Sequence, residues 1–227
     1  MNPFLPTFDS PPHRLSGVVY GTLLNSIASL NALGDAMDAA PYKGAPRAPV
    51  LYIKPRNTLA ANGDAVAVPP STDALQVGAS LALVVGRTAC RVRESDALSY
   101  LAGYAVVVDF SVPHQSFYRP SVRFKALDGS CVVGPCVVSA DRIPDPDGLP
   151  ITVRVDGAQV QSATTGGMVR TAARLLADVT EFMTLFPGDI LLLGVPDGAP
   201  LARPGQSVIV EIEGVGRLES TLVEEQA

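Results

Sequence analysis

Two apolar runs constrain what this chain can fold into. Leu81-Ala82-Leu83-Val84-Val85 carries no polar side chain, and Tyr104 to Val108 is a second apolar stretch that ends on Asp109. A run of about five apolar residues bounded by glycine has strand length, since buried helices need roughly ten or more. The first run therefore predicts a central strand, and the second a strand that delivers a carboxylate at its end. Leu15–Leu24 reads as another strand, Val50–Ile53 as a short buried one closed by Lys54-Pro55-Arg56-Asn57, and Pro41–Pro49 as a proline-rich loop.

Further strands are expected over Val132–Val138, which Gly134-Pro135 must bend or place at an edge, and over Ile190–Leu193, Ser207–Ile212 and Arg217–Val223. Asp156-Gly157, between Ile151–Val155 and Ala158–Gln161, is a two-residue hairpin signal. Ile27, Leu30, Leu33 and Met37 repeat at helical spacing within Asn25–Ala39, and Ser95 opens a second helix that Gly103 should stop. Met168, Ala172, Leu175, Leu176, Val179 and Met183 share one face of a longer helix, which Pro187-Gly188 ends. Strands dominate without regular alternation with helices. The expected class is α+β, a curled mixed sheet or β-roll with two or three helices.

At 227 residues the chain fits a flexible leader over 1–16 and one domain over 17–227. No stretch of eighteen apolar residues occurs and Met1–Ser16 has no apolar signal core, so a cytoplasmic protein without membrane association is expected. A net charge of −5 with scattered lysines and arginines opposes nucleic-acid binding. Arg87, Arg91 and Arg93, the densest basic group, read as a solvated turn. Cys90, Cys131 and Cys136 have no zinc-ligand spacing and read as reduced, packed thiols. No phosphate loop, dinucleotide fingerprint or nucleophile elbow is present. His13 and His114 offer little material for a histidine triad, and His114 reads as an exposed loop residue.

Several segments together resemble the fumarylacetoacetate hydrolase family. They are Val77–Gly86, Gly103-Tyr104, Val107–Ser111, Lys125–Gly129 and Pro187–Gly194, and the resemblance extends over about Val18–Val223. Tyr42-Lys43, Ile53–Thr58 and Ser116–Pro120 look like the first half of its members that act in bacterial 4-hydroxyphenylacetate breakdown. The resemblance implies the fumarylacetoacetase C-terminal-like roll and Mg²⁺ or Mn²⁺ held by two glutamates and an aspartate. The ion would bind a 2-oxo acid and stabilise its enolate.

Carried over, the glutamate positions fall on Gly78 and Ser80, the aspartate on Asp109, and the nearby lysine on Lys125, with Asp128 three residues further on. A lid histidine falls on Ser29, and a Thr-Gly-Thr-Pro segment reads Leu193-Gly194-Val195-Pro196. One carboxylate from three is too little for a tightly bound divalent ion, so no intact metal site is expected. Asp109 is either a surviving ligand or a carboxylate bonded to backbone N–H groups or Lys125. Lys125 either neutralises a substrate carboxylate and moves the proton, or pairs with Asp109 or Asp128. Tyr118 and Arg119 either contact a dianionic substrate or stack on each other.

The implied function is a subunit of the 2-hydroxyhepta-2,4-diene-1,7-dioate isomerase and 5-oxopent-3-ene-1,2,5-tricarboxylate decarboxylase. Lys125, Asp109 and Asp128 would act on an unsaturated dicarboxylate that Tyr118 and Arg119 bind. The alternatives are a silent structural partner of a metal-bearing paralogue, and a free-standing binder of small dicarboxylates. A homodimer or heteromer is implied in the first two readings.

Overall fold

A computed structural model describes residues 6, 11–114, 116–117 and 122–225. In chain order the strands are β1 (Val19–Leu23), β2 (Val50–Lys54), β3 (Leu59–Ala61), β4 (Ala65–Val68), β5 (Leu75–Val85), β6 (Leu101–Ser111) and β7 (Cys131–Val133). They continue with β8 (Val138–Ser139), β9 (Pro150–Val155), β10 (Ala158–Thr164), β11 (Ile190–Leu192), β12 (Leu201–Ala202), β13 (Ser207–Ile212) and β14 (Gly216–Glu224). The α-helices are α1 (Ile27–Ala32), α2 (Val122–Lys125) and α3 (Ala172–Phe182). The class is the expected strand-dominated α+β.

The larger sheet runs β2-β1-β11-β5-β6-β7-β3, with β12 on β5 and β8 on β6, and the smaller runs β10-β9-β13-β14-β4. Parallel pairs β1–β11, β3–β7 and β4–β14 lie among antiparallel ones, so both sheets are mixed. The larger sheet must curl, and chain length shows why. Its first and last strands, β2 and β3, are joined through Pro55–Thr58 alone. That link spans at most about 18 Å, whereas seven strands laid flat would stand about 29 Å across. The two ends of the sheet are therefore drawn together.

Both faces of this sheet are covered, which explains the unbroken apolar runs. Val77, Ala79, Leu81, Leu83 and Val85 of β5 face one way, into a cluster with Val106, Val108 and Phe110 of β6. That cluster also takes in Val153, Val208 and Leu218 of the smaller sheet and Leu175, Leu176 and Val179 of α3. Each such aliphatic side chain contributes about 1.5–3 kcal/mol on full burial. Ala82, Val84, Ala105 and Val107 point the other way, against Leu15, Val19, Ile190 and Leu192. The strand period of two then puts Gln76, Gly78 and Ser80 of β5 on this second face. There they oppose Ser111, Asp109 and Val107 of β6 in register.

The hairpin forms as expected, with Asp156 at φ 50° and Gly157 at φ 80°. Helix α3 starts later than its apolar spacing suggests, because the Thr171 hydroxyl caps Arg174 N–H, and it ends at Phe182, before Pro187-Gly188. Asn25–Ala39 is one turn-and-a-half of α-helix followed by a 3₁₀ turn over Gly34–Met37, where Gly34 at φ 45° breaks the ladder. No residue of α1 is buried, so its apolar spacing has no core to face.

Strand β2 is a half-exposed edge, with Ile53 facing solvent, rather than a buried strand. Val132–Val138 splits into β7 and β8 at Gly134-Pro135. Cys131 is buried, but Cys90 and Cys136 are exposed rather than packed. The helix expected at Ser95 is a 3₁₀ segment, Glu94–Tyr100, and Gly103 lies inside β6 rather than at a helix stop. Its role is close approach, since a Cβ there would overlap the Val138 carbonyl of β8. Gly103→Ala should lower stability by about 1–3 kcal/mol, read as a fall in the thermal melting midpoint.

Candidate functional site

On the second face of the larger sheet, Asp109 is fully buried between two lysines. Lys125 Nζ stands 2.7 Å from Asp109 Oδ2, and Lys54 Nζ stands 2.8 Å from Oδ1. Lys54 is itself fully buried and donates to the carbonyls of Phe110 and Lys125 and to Ser130 Oγ. These three bonds use all three of its N–H donors, so its contact with Asp109 acts through charge. The Tyr52 hydroxyl also donates to Asp109 Oδ2, and its ring lies 4.4 Å from Lys125 Nζ. Tyr52 reaches the carboxylate only because its neighbour across the β1–β2 pair is Gly21, where a Cβ would overlap the ring.

Burial by itself would raise the Asp109 carboxyl, but the Lys125 and Lys54 ammoniums outweigh it and hold the group well below the usual carboxylate range. Burial first, and then the Asp109 charge, push the Tyr52 phenol well above its ordinary value, so it remains a donor. Two ammoniums against one carboxylate leave the centre with one net positive charge. Lys54 is saturated. Lys125 spends one N–H on Asp109 and lines a cleft of about 230 Å³ together with Tyr52, Gln76, Ser111 and His114.

The rest of the wall follows from the local chain. Asn25 donates to the Leu193 carbonyl and exchanges hydrogen bonds with Arg170, which fixes the start of α1 beside the end of β11. Ser29 of α1 donates to Asp197 at 3.1 Å, joining α1 to the 195–199 loop across the rim. Ser80 donates to the Gly194 carbonyl at 3.0 Å and accepts from Gly194 N–H at 3.3 Å. At Gly78 an added Cβ would stand 2.6 Å from the Asp109 carbonyl oxygen and 3.0 Å from Val195 Cγ2.

Of the residues singled out from sequence, Asp109, Lys125, Gly78 and Ser29 line the cleft, and Ser80 is buried behind it on Gly194. Asp128 does not line the cleft; it is exposed and accepts from Asn57 at 2.5 Å. Tyr118 and Arg119 lie outside the described residues. Among the described residues no three His, Cys, Asp or Glu side chains converge on a point where an ion could sit. None of their helices is long and apolar enough to cross a membrane.

Sequence reasoning missed Lys54 and Tyr52 as site residues. The available signal was a lysine ending an otherwise apolar strand, because a lysine kept from water requires a carboxylate. It also misplaced His114, which is half-buried on the cleft wall rather than exposed in a loop.

The fumarylacetoacetate hydrolase C-terminal family model matches residues 18–223. The chain is 39% identical over 212 residues to the 4-hydroxyphenylacetate degradation bifunctional isomerase/decarboxylase of Escherichia coli, covering 93% of this chain and 48% of that protein. It thus spans about half the length of the curated relatives it matches. The structure of 5-carboxymethyl-2-hydroxymuconate delta-isomerase from Mycobacterium smegmatis is 26% identical, with a TM-score of 0.77 over 93% of this chain and 78% of that one. Maleylpyruvate hydrolase from Sphingobium, solved with manganese and pyruvate, is 26% identical with a TM-score of 0.74 over 92% and 71%.

Asp109→Asn should cost about 3–5 kcal/mol at neutral pH, since it leaves two buried ammoniums facing no counter-charge. The native carboxyl is held below its unfolded value of about 3.9, so its contribution is complete above that pH and fades as pH falls further. The difference in melting midpoint between wild type and Asp109→Asn should therefore be constant from neutral pH to about 5 and narrow below about 4.

Proposed function

The chain belongs to the fumarylacetoacetate hydrolase family, and from that premise we propose that it binds the carboxylate-and-ketone end of an unsaturated 2-oxo dicarboxylic acid and shifts its double bonds through an enolate. The pathway setting taken from its relatives is aromatic catabolism. The activity we assign is that of a subunit of the 2-hydroxyhepta-2,4-diene-1,7-dioate isomerase and 5-oxopent-3-ene-1,2,5-tricarboxylate decarboxylase, with isomerisation as its share. The observation that carries this reading is the net positive charge at Lys125, set on the cleft wall and oriented by Asp109.

The residues present do not fit a divalent cation. Gly78 offers no ligand, the Ser80 hydroxyl is spent on both backbone groups of Gly194, and Asp109 already faces two ammoniums. A third positive charge at Asp109 would be repelled. We therefore take the metal position as degenerate and route no step through an ion. Charge that develops on the enolate oxygen is instead met by Lys125 N–H donors that need no reorganisation at the moment of reaction. The Tyr52 ring lies against the ammonium, and its hydroxyl donates to Asp109, the group that orients Lys125. Asp109 is the orienting group and Lys125 the substrate contact. In the same proposal Tyr118 and Arg119 would take the far carboxylate, and Asp128 would act from outside the cleft by holding the turn after α2 through Asn57.

A second reading is supported by the half-length match to the relatives: this chain would serve as a silent structural partner that completes a metal-bearing paralogous half. One experiment separates the two. The chain alone, in buffer containing EDTA, should bind oxalate by calorimetry and bleach the ultraviolet absorbance of the hydroxydiene dioate. Lys125→Met should weaken oxalate about 10-fold or more, as expected for a charge-assisted hydrogen bond of about 1.5–3 kcal/mol. Oxalate binding that appears only with added Mn²⁺ would defeat the metal-free reading. Turnover only after mixing with a metal-bearing paralogue would favour the silent partner.

A further inference from the structure

We propose that His114 Nε2 is the base that carries the proton in this cleft, an inference that rests on the function proposed above. His114 lines the cleft, and its Nδ1 stands 2.9 Å from the Val112 carbonyl. A carbonyl only accepts, so Nδ1 bears the hydrogen and the lone pair of the neutral ring lies on Nε2. That nitrogen is buried and has no hydrogen-bond partner among the described residues. The ring is fixed by stacking on Phe124, with centroids 5.1 Å apart at 16°, and by the edge contact of Phe117 at 5.9 Å and 65°. Phe124 directly precedes Lys125 in α2, and its carbonyl accepts from Val112 N–H at 2.9 Å. One helical turn therefore positions both the ammonium and the imidazole.

Among the described residues, the other ionisable groups on the wall are engaged. Lys125 is paired as a cation with Asp109, Asp109 faces two ammoniums, and the Tyr52 hydroxyl donates a hydrogen bond to Asp109. Asp197 is exposed at the rim and accepts from Ser29. Among these described residues, His114 has the lone pair that is left. In the step it performs on the dienol, Nε2 takes the proton of the 2-hydroxyl, and the O–H electron pair stays on oxygen, where Lys125 N–H groups hold the dienolate. The imidazolium then delivers that proton to the far carbon of the diene as the oxygen pair re-forms the ketone and the remaining C=C bond shifts next to it. With pyruvate the same nitrogen takes a methyl proton, and the C–H pair becomes the C=C bond of the enolate. No oxidant or second substrate is consumed.

The test pairs a binding probe with a proton-transfer probe in EDTA-containing D₂O: oxalate affinity by calorimetry, and deuterium uptake into the pyruvate methyl group by proton NMR. Wild type should do both. H114N should exchange about 100-fold or more slowly, the usual span for a positioned acid–base group, with oxalate affinity unchanged. H114Q serves as the second variant if H114N melts early. Exchange at the wild-type rate in either variant overturns the proposal. So does wild type that binds oxalate without exchanging, which leaves the proposed binding site standing. Loss of oxalate affinity in both variants with unchanged melting makes His114 a ligand contact and overturns proton transfer. Wild type that neither binds nor exchanges removes the proposed function itself, and this inference with it.

Discussion

The neutralisation of Asp109 organises this molecule. A carboxylate kept from water carries a desolvation penalty of several kcal/mol unless opposite charge and hydrogen bonds replace its hydration. One strand and one helical turn converge on it to provide them. β2 brings Lys54 and Tyr52, and α2 brings Lys125. Lys54 in turn needs acceptors, and the carbonyls at 110 and 125 and the hydroxyl of Ser130 supply them. Each buried charge in this chain of contacts is met by a counter-charge or a hydrogen bond, and the sequence of requirements ends at Lys125, where the remaining donors meet the cleft.

On the reading proposed above, that arrangement would let a member of a family with manganese-bearing relatives keep a binding centre where Gly78 and Ser80 offer no acidic ligand. Three carboxylates, one divalent cation and the nearby lysine would sum to zero, whereas one carboxylate with two ammoniums leaves one positive charge; both are compact, oriented charge centres. The second centre needs no dehydration of an ion, and its positive charge is covalently attached to the fold. On the reading proposed here, the side chains at 78 and 80 are then free for other uses. Ser80 ties β5 to the loop after β11, and Gly78 lets that loop lie close.

Much of this was legible in the sequence because it rests on local signals. The apolar runs at 81–85 and 104–108 are unbroken since both sheet faces are covered, and Asp156-Gly157 can hardly be anything but a tight hairpin. Asp109 and Lys125 came from the family pattern. What stayed hidden depends on contacts between residues far apart in the chain. Lys54 reads as the polar end of a short strand until the roll brings it to Asp109. Tyr52 reads as packing until Gly21 is seen to clear its path. Gly103 resembles a helix stop, and only the approach of β8 reveals its use. His114 follows a proline in a loop, a setting that normally means exposure, and is drawn inward by Phe124. Short strands such as Leu59–Ala61 and Ala65–Val68 carry too few residues for any period to register.

The tether over Pro55–Thr58 has a consequence for how occupancy and folding are linked. Lys54 sits on the strand that begins that tether, and Asp109 on a strand in the middle of the sheet, so their pairing exists only once the sheet has curled. On the proposed reading, an anion held by Lys125 selects the curled form over every uncurled one, and its binding free energy is added to the stability of the whole roll. Filling this small cleft should thus slow hydrogen exchange along strands that no ligand atom touches.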